Sequence, residues 1–124
     1  MTIQGDAPLP TLTSETPTLV LDVPTLVATW QGKDHTLVLL KTDSLRVVFR
    51  SLQEGNQLAS HKAAGDITVQ VLDGHIEFAA ADRTVPIHKG QILALKAGVS
   101  HSLIAIRPSA ILITLASGPK PSAS

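Results

Sequence analysis

The chain of 124 residues contains no cysteine. That absence removes a disulfide framework, a thiolate metal site and a cysteine nucleophile together. Aromatic residues are nearly as scarce: Trp30, Phe49 and Phe78 make up 2% of the chain. With 44% hydrophobic residues, a core must be filled by Val, Ile, Leu and Ala, and the branched members of that set suit a pleated sheet face. Charge of one sign is also missing. Ten basic and ten acidic residues cancel, and no Lys/Arg block is present to follow a phosphate backbone, which argues against a nucleic-acid partner. No apolar run approaches the ~20 residues needed to span a bilayer. Residues Met1 to Thr18 lack a basic stretch followed by an apolar one, so no secretory signal is expected. The expectation is a cytoplasmic protein with neither membrane nor nucleic acid as partner.

What is present divides into three stretches. Residues 1–17 are rich in Thr and Pro without an apolar period and predict an extended or flexible arm. Residues 18–116 carry all the apolar patterning and predict a single domain, which at this length buries roughly two-thirds of its unfolded surface. Residues 117–124 hold only small and turn-forming residues beside one Lys and predict a disordered tail. Within the domain, Thr18 to Leu21 reads as a short edge strand. Asp22 then precedes Pro24 and an apolar stripe of Leu26, Val27 and Trp30, a pattern that fits either a short helix with an N-cap and an early proline, the reading preferred here, or a strand broken by Pro24.

From His35 the period changes to two. Strands are expected over Thr36–Leu40, Leu45–Leu52, Ile67–Leu72, His75–Ala79, Thr84–His88, Gln91–Leu95, His101–Ile106 and Ala110–Leu115. Asp73-Gly74 reads as the two-residue turn of a hairpin. Strands at this spacing with almost no helical pattern define an all-β sandwich or barrel.

Glycines and histidines punctuate one β-patterned stretch in a regular way. Gly55 is followed after five residues by His61, and Gly74 lies further on; Gly90, Gly98 and His101 follow. Taken together these positions resemble the two signature motifs of the cupin superfamily. The first motif is Gly, five residues, His-x-His, three or four residues, Glu, six residues, Gly. The second is Gly, five residues, Pro-x-Gly, two residues, His, three residues, Asn. Here Ala63 stands for the second His, Ile67 for the Glu, Lys96 for the Pro and Ala105 for the Asn. The resemblance covers about Leu37 to Leu115 and implies a small single-domain cupin: a double-stranded β-helix, or jelly-roll barrel, with a short N-terminal arm and helix. It also implies a homodimer, since small cupins commonly pair through edge strands and an N-terminal arm.

The degenerate metal motif shapes the functional expectation. A catalytic metal site uses about three protein ligands and an open position, and only His61 and His101 remain. Asp66 is adjacent to a ligand position but faces the other way on a regular strand. The preferred reading is a neutral histidine pair within a ligand pocket bounded by His61, Ala63, Ile67, Val69 and His101, holding a small molecule with no cofactor. The alternative is an enzyme of dioxygenase or isomerase type with one divalent transition metal on His61 and His101. Whether the protein catalyses anything is left open, with the balance toward binding. His35, His75 and His88 are expected to be solvated at strand ends. Arg46 and Arg50 share a face with Val48 and Leu52. Pointing outward they form a solvated sheet face, the reading preferred here; pointing inward they form an anion-binding wall.

Overall fold

A computed structural model describes residues 10–117. Most of the expected arm and tail, residues 1–9 and 118–124, lie outside the described residues. Among those described, one helix, α1 (Val23–Trp30), precedes nine strands: β1 (His35–Lys41), β2 (Leu45–Leu52), β3 (Gln57–His61), β4 (Ile67–Asp73), β5 (His75–Ala80), β6 (Arg83–His88), β7 (Ile92–Leu95), β8 (His101–Ala105) and β9 (Ser109–Ala116). They form two antiparallel sheets, β1-β2-β9-β4-β7 and β3-β8-β5-β6. From β2 onward every connection except β5 to β6 passes from one sheet to the other, which is how a jelly roll closes two sheets over one core.

Asp73-Gly74 is therefore not a hairpin turn. Strands β4 and β5 belong to different sheets, and the dipeptide makes the corner between them. The positive φ of Gly74 (+94°) was a correct signal for a sharp bend. The bend also presses against the neighbouring backbone, since a Cβ on Gly74 would stand 2.5 Å from the carbonyl oxygen of Pro108. The hairpin in this region is β5–β6, with Ala81 at φ +54° in its turn.

Two apolar clusters hold the fold. The larger lies between the sheets and includes Leu52, Val71, Ile76, Phe78, Ile87 and Ile111, all almost fully enclosed. The smaller lies on the outer face of the five-stranded sheet, where Leu26, Val27 and Trp30 of α1 cover Phe49, Leu39 and Ala110. Helix α1 begins as the sequence indicated. The Asp22 carboxylate accepts from the Thr25 backbone N–H at 3.4 Å and from the Thr25 hydroxyl at 2.8 Å. Replacing Asp22 by Ala is expected to cost about 1 kcal/mol, measured as a lower urea midpoint with an unchanged slope. A shift indistinguishable from zero would mean the cap contributes nothing.

Thr18 to Leu21 forms no strand. Leu21 packs against the outer cluster, whereas Val20 is 92% exposed and Leu19 44% exposed. The arm instead touches the sheet further upstream, where the Pro10 carbonyl accepts from the Lys41 N–H at 2.8 Å. Edge strands are kept unattractive elsewhere: β6 carries Pro86, and β7 has only four residues.

Candidate functional site

The site forms where β3 and β8 meet. Their register sets His61 directly opposite His101, and the ring centroids lie 4.2 Å apart at 60°. A one-residue bulge in β3 between Leu58 and His61 lets both side chains, three positions apart, face the same cavity. His61 is exposed and His101 is only 5% exposed. The His101 ring also lies parallel to Phe78, at 5.5 Å and 11°.

Both imidazoles are held in the same way. Nδ1 of His61 lies 2.9 Å from the Ala59 carbonyl, and Nδ1 of His101 lies 2.9 Å from the Val99 carbonyl. A carbonyl can only accept, so each Nδ1 donates, and each Nε2 is left for the cavity.

That cavity has a volume of about 420 Å³. Ala63, Ile67 and Val69 line it together with the two histidines, so the five residues singled out in the sequence do converge. Strand β3 ends at His61, yet Ala63 still faces inward. Its carbonyl accepts from the Gly98 N–H at 2.9 Å, and the following Gly65 packs so closely on the end of β9 that a Cβ would collide with Ala116 and lie 2.7 Å from the Ser117 carbonyl oxygen. The rest of the floor comes from Phe78, Leu103, Ile113 and Leu115, which the sequence reading did not assign to the pocket. The alternation of Ile111, Ile113 and Leu115 along β9 was the available signal.

The arginines require a correction. Arg46, Val48 and Arg50 all line the cavity, so the face preferred as solvent-facing is the lumen. The reason is that α1 takes the other face. Val47 and Phe49 are packed beneath the helix, and the Ser51 hydroxyl donates to the Trp30 carbonyl at 2.8 Å. With that side of β2 covered, its alternate residues can only face inward. Arg46 and Lys62 are exposed at the cavity margin; Arg50 is half-buried, and its Nε is enclosed without a hydrogen-bond acceptor. No Asp or Glu lines the cavity.

Of the remaining histidines, His88 is exposed as expected, whereas His35 and His75 are half-buried. His35 stacks on Trp30 at 3.5 Å, and His75 stacks on His88, its cross-strand partner, at 4.1 Å. The His75 Nε2 is enclosed without a partner.

The donor set does not fit a cupin-type metal. Among the described residues no group of three or more His, Asp or Glu side chains is placed to hold an ion. Asp66 is exposed, and its carboxylate accepts from the Ala97 N–H at 2.9 Å. Two imidazoles fall short of the three protein ligands a catalytic centre uses.

Comparison with known proteins agrees with the architecture. No family model and no curated protein matches the sequence, whereas many solved structures match the fold. A cupin superfamily protein from Desulfitobacterium hafniense is 18% identical, with a TM-score of 0.72 over 90% of this chain and 99% of that one. A cupin-2 domain protein from Shewanella frigidimarina is 16% identical, with a TM-score of 0.66 over 78% and 94%. A conserved protein of unknown function from Streptococcus pyogenes is 25% identical, with a TM-score of 0.70 over 83% and 90%. The fold of this chain is thus the cupin double-stranded β-helix, as its glycine and histidine spacing implied. A shared fold hosts many chemistries and assigns none. No helix among the described residues is long and apolar enough to cross a membrane.

Proposed function

We propose that the protein binds a small molecule in its barrel lumen and does so without a metal ion. One observation carries this reading: a cavity of about 420 Å³ whose floor is made of methyl-bearing and aromatic side chains, with two imidazole Nε2 atoms on one wall. A concave, mostly apolar site with a few fixed polar groups is the usual form of a small-molecule pocket. Where related motifs carry a carboxylate and a further imidazole, this chain has Ile67 and Ala63, which bind ligands only through apolar contact.

The test is a methyl NMR titration with small molecules of up to about ten heavy atoms, a size suited to pockets of this class. Ligands are expected to move the Ile67, Val69 and Ile113 resonances, and Ala63→Trp, which fills the cavity, is expected to abolish those shifts. Lumen methyls that stay silent to every compound would sink the reading.

A metal-dependent enzyme is the second reading, and one feature favours it. Fixing Nδ1 on a carbonyl and directing Nε2 into a cavity is also how metal-binding histidines are oriented. The two readings separate on metal content. Protein purified without chelator and then mildly chelated is expected to hold well under one equivalent of any transition metal by elemental analysis. A stoichiometric, chelator-resistant ion lost in His61→Ala would establish the second reading instead.

The same proposal includes a homodimer. Strand β1 is an edge of the five-stranded sheet, and the arm beside it exposes Leu19 and Val20. An unpaired edge with apolar residues alongside is commonly covered by a second copy about a two-fold axis. Sedimentation equilibrium at tens of micromolar is expected to give a dimer that weakens when residues 1–21 are removed. A monomer at that concentration would overturn it.

A further inference from the structure

From the charge distribution around the lumen we infer that the ligand is a monocarboxylate with an apolar body, its carboxylate held by Arg50. The inference rests on the lumen being the binding site and adds the chemical class of what enters it.

The chain as a whole is neutral, but the cavity is not. Arg46, Arg50 and Lys62 stand on its wall, and no acidic residue does. Among the described residues the one ion pair is Lys89 with Asp73, at 4.0 Å, so none of the three cavity cations is neutralised by a protein carboxylate. Such segregation in a cleft with low-dielectric walls concentrates anions there.

The cations also differ in depth. Arg46 and Lys62 are exposed at the margin, where water screens them and their role is to attract. Arg50 is half-buried, its neighbours on the lumen face are Val48 and, across the β1–β2 ladder, Thr36, and its enclosed Nε has no acceptor. A partly dehydrated guanidinium without an acceptor is unfavourable, and a planar carboxylate answers it through two parallel hydrogen bonds. A single charged group at depth suits a single negative charge. A phosphate dianion would need further donors at that depth, but the cavity's other donor side chains, Thr36, Arg46, Gln57 and Lys62, are all exposed, and the wall beyond them is Ile67, Val69 and Ile113. Those same side chains provide the surface for an aliphatic or aromatic body.

Hexanoate, hexanamide and inorganic phosphate are the probes, each titrated into the intact protein and followed through the Ile67, Val69 and Ile113 methyl signals. Hexanoate is expected to bind at least about tenfold more tightly than hexanamide, as a charge-assisted pair gives over a neutral one. Arg50→Gln should remove that preference, bringing hexanoate and hexanamide to within about threefold of one another. Arg50→Lys keeps the charge but loses the fork, so it should retain only part of the preference, and it serves if the glutamine variant does not fold. Arg46→Gln should weaken hexanoate no more than about threefold, with the difference fading at high salt. Equal binding of the amide, tighter binding of phosphate, or hexanoate affinity unchanged in both Arg50 variants would each overturn the inference. Hexanamide moving the lumen methyls as strongly as hexanoate would leave the pocket in place and remove only the anion. Silence from both compounds would remove the pocket reading as well.

Discussion

Installing Ala63→His together with Ile67→Glu is expected to make the stability of this barrel depend on divalent metal. Both positions line the cavity that contains His61 and His101, so the two new side chains and the existing imidazoles face one another. Ile67 is 4% exposed in a cluster of aliphatic side chains. A carboxylate placed there loses its water among aliphatic side chains, and the cations that share the cavity, Arg46, Arg50 and Lys62, stand elsewhere on its wall and answer it only in part. The metal-free variant should therefore fall a few kcal/mol, on the order of 3, below the parent, from the desolvated carboxylate and imidazole and the lost apolar contacts. A metal that binds only the folded form reverses this by mass action, giving back about 4 kcal/mol at a thousandfold excess over Kd. Thermal melting of the double variant with zinc, nickel or manganese, against chelator, is the measurement. A melting temperature indifferent to all three metals would mean the four positions do not converge.

Phe78→Ala carries the second large expectation. Phe78 is 1% exposed, lies in the inter-sheet cluster, lines the floor of the cavity and runs parallel to the His101 ring. Removing the ring deletes its transfer free energy and opens a void into an existing cavity, a combined cost of about 3 to 5 kcal/mol. The urea midpoint should drop accordingly with the slope preserved. The enlarged lumen should also accept bulkier apolar ligands than the parent does. A loss below about 1 kcal/mol would show that the surrounding strands collapse into the space and that the floor is softer than its burial implies.

The strand pattern was readable because most strands have one face in the lumen, so burial alternates with the period of the backbone. Ile67, Val69 and Val71 are buried while Thr68 and Gln70 are half-covered, and that two-residue rhythm is plain in the letters alone. That His61, Ala63, Ile67, Val69 and His101 line one cavity was readable for a different reason, the resemblance of the glycine and histidine spacing to the cupin motifs, which implied where each strand starts. Four features were not readable, and the first three each depend on a distant partner. Strand β2 is apolar on one face and mixed on the other, so its direction is decided only when α1 covers Phe49. Asp73-Gly74 states that the chain bends but not whether β5 turns back beside β4 or crosses to the facing sheet. Thr18 to Leu21 has strand-forming residues but no paired strand, and propensity without a partner forms nothing. Strand β3, short and mostly exposed, gave almost no hydrophobic rhythm.

The placement of β9 has a consequence for how the chain reaches this fold. The strand that ends the described barrel, Ser109–Ala116, lies in the interior of its sheet and pairs with β2 on one side and β4 on the other. Until those residues arrive, β2 and β4 each present an open edge, and the five-stranded sheet is split in two. Closing it joins positions as distant as Leu45 and Ala116, a long loop whose ordering entropy must be met before the contacts form. Folding should therefore be slow and governed by β9, with a nascent chain that stays open along two aggregation-prone edges until Ser109–Ala116 leave the ribosome.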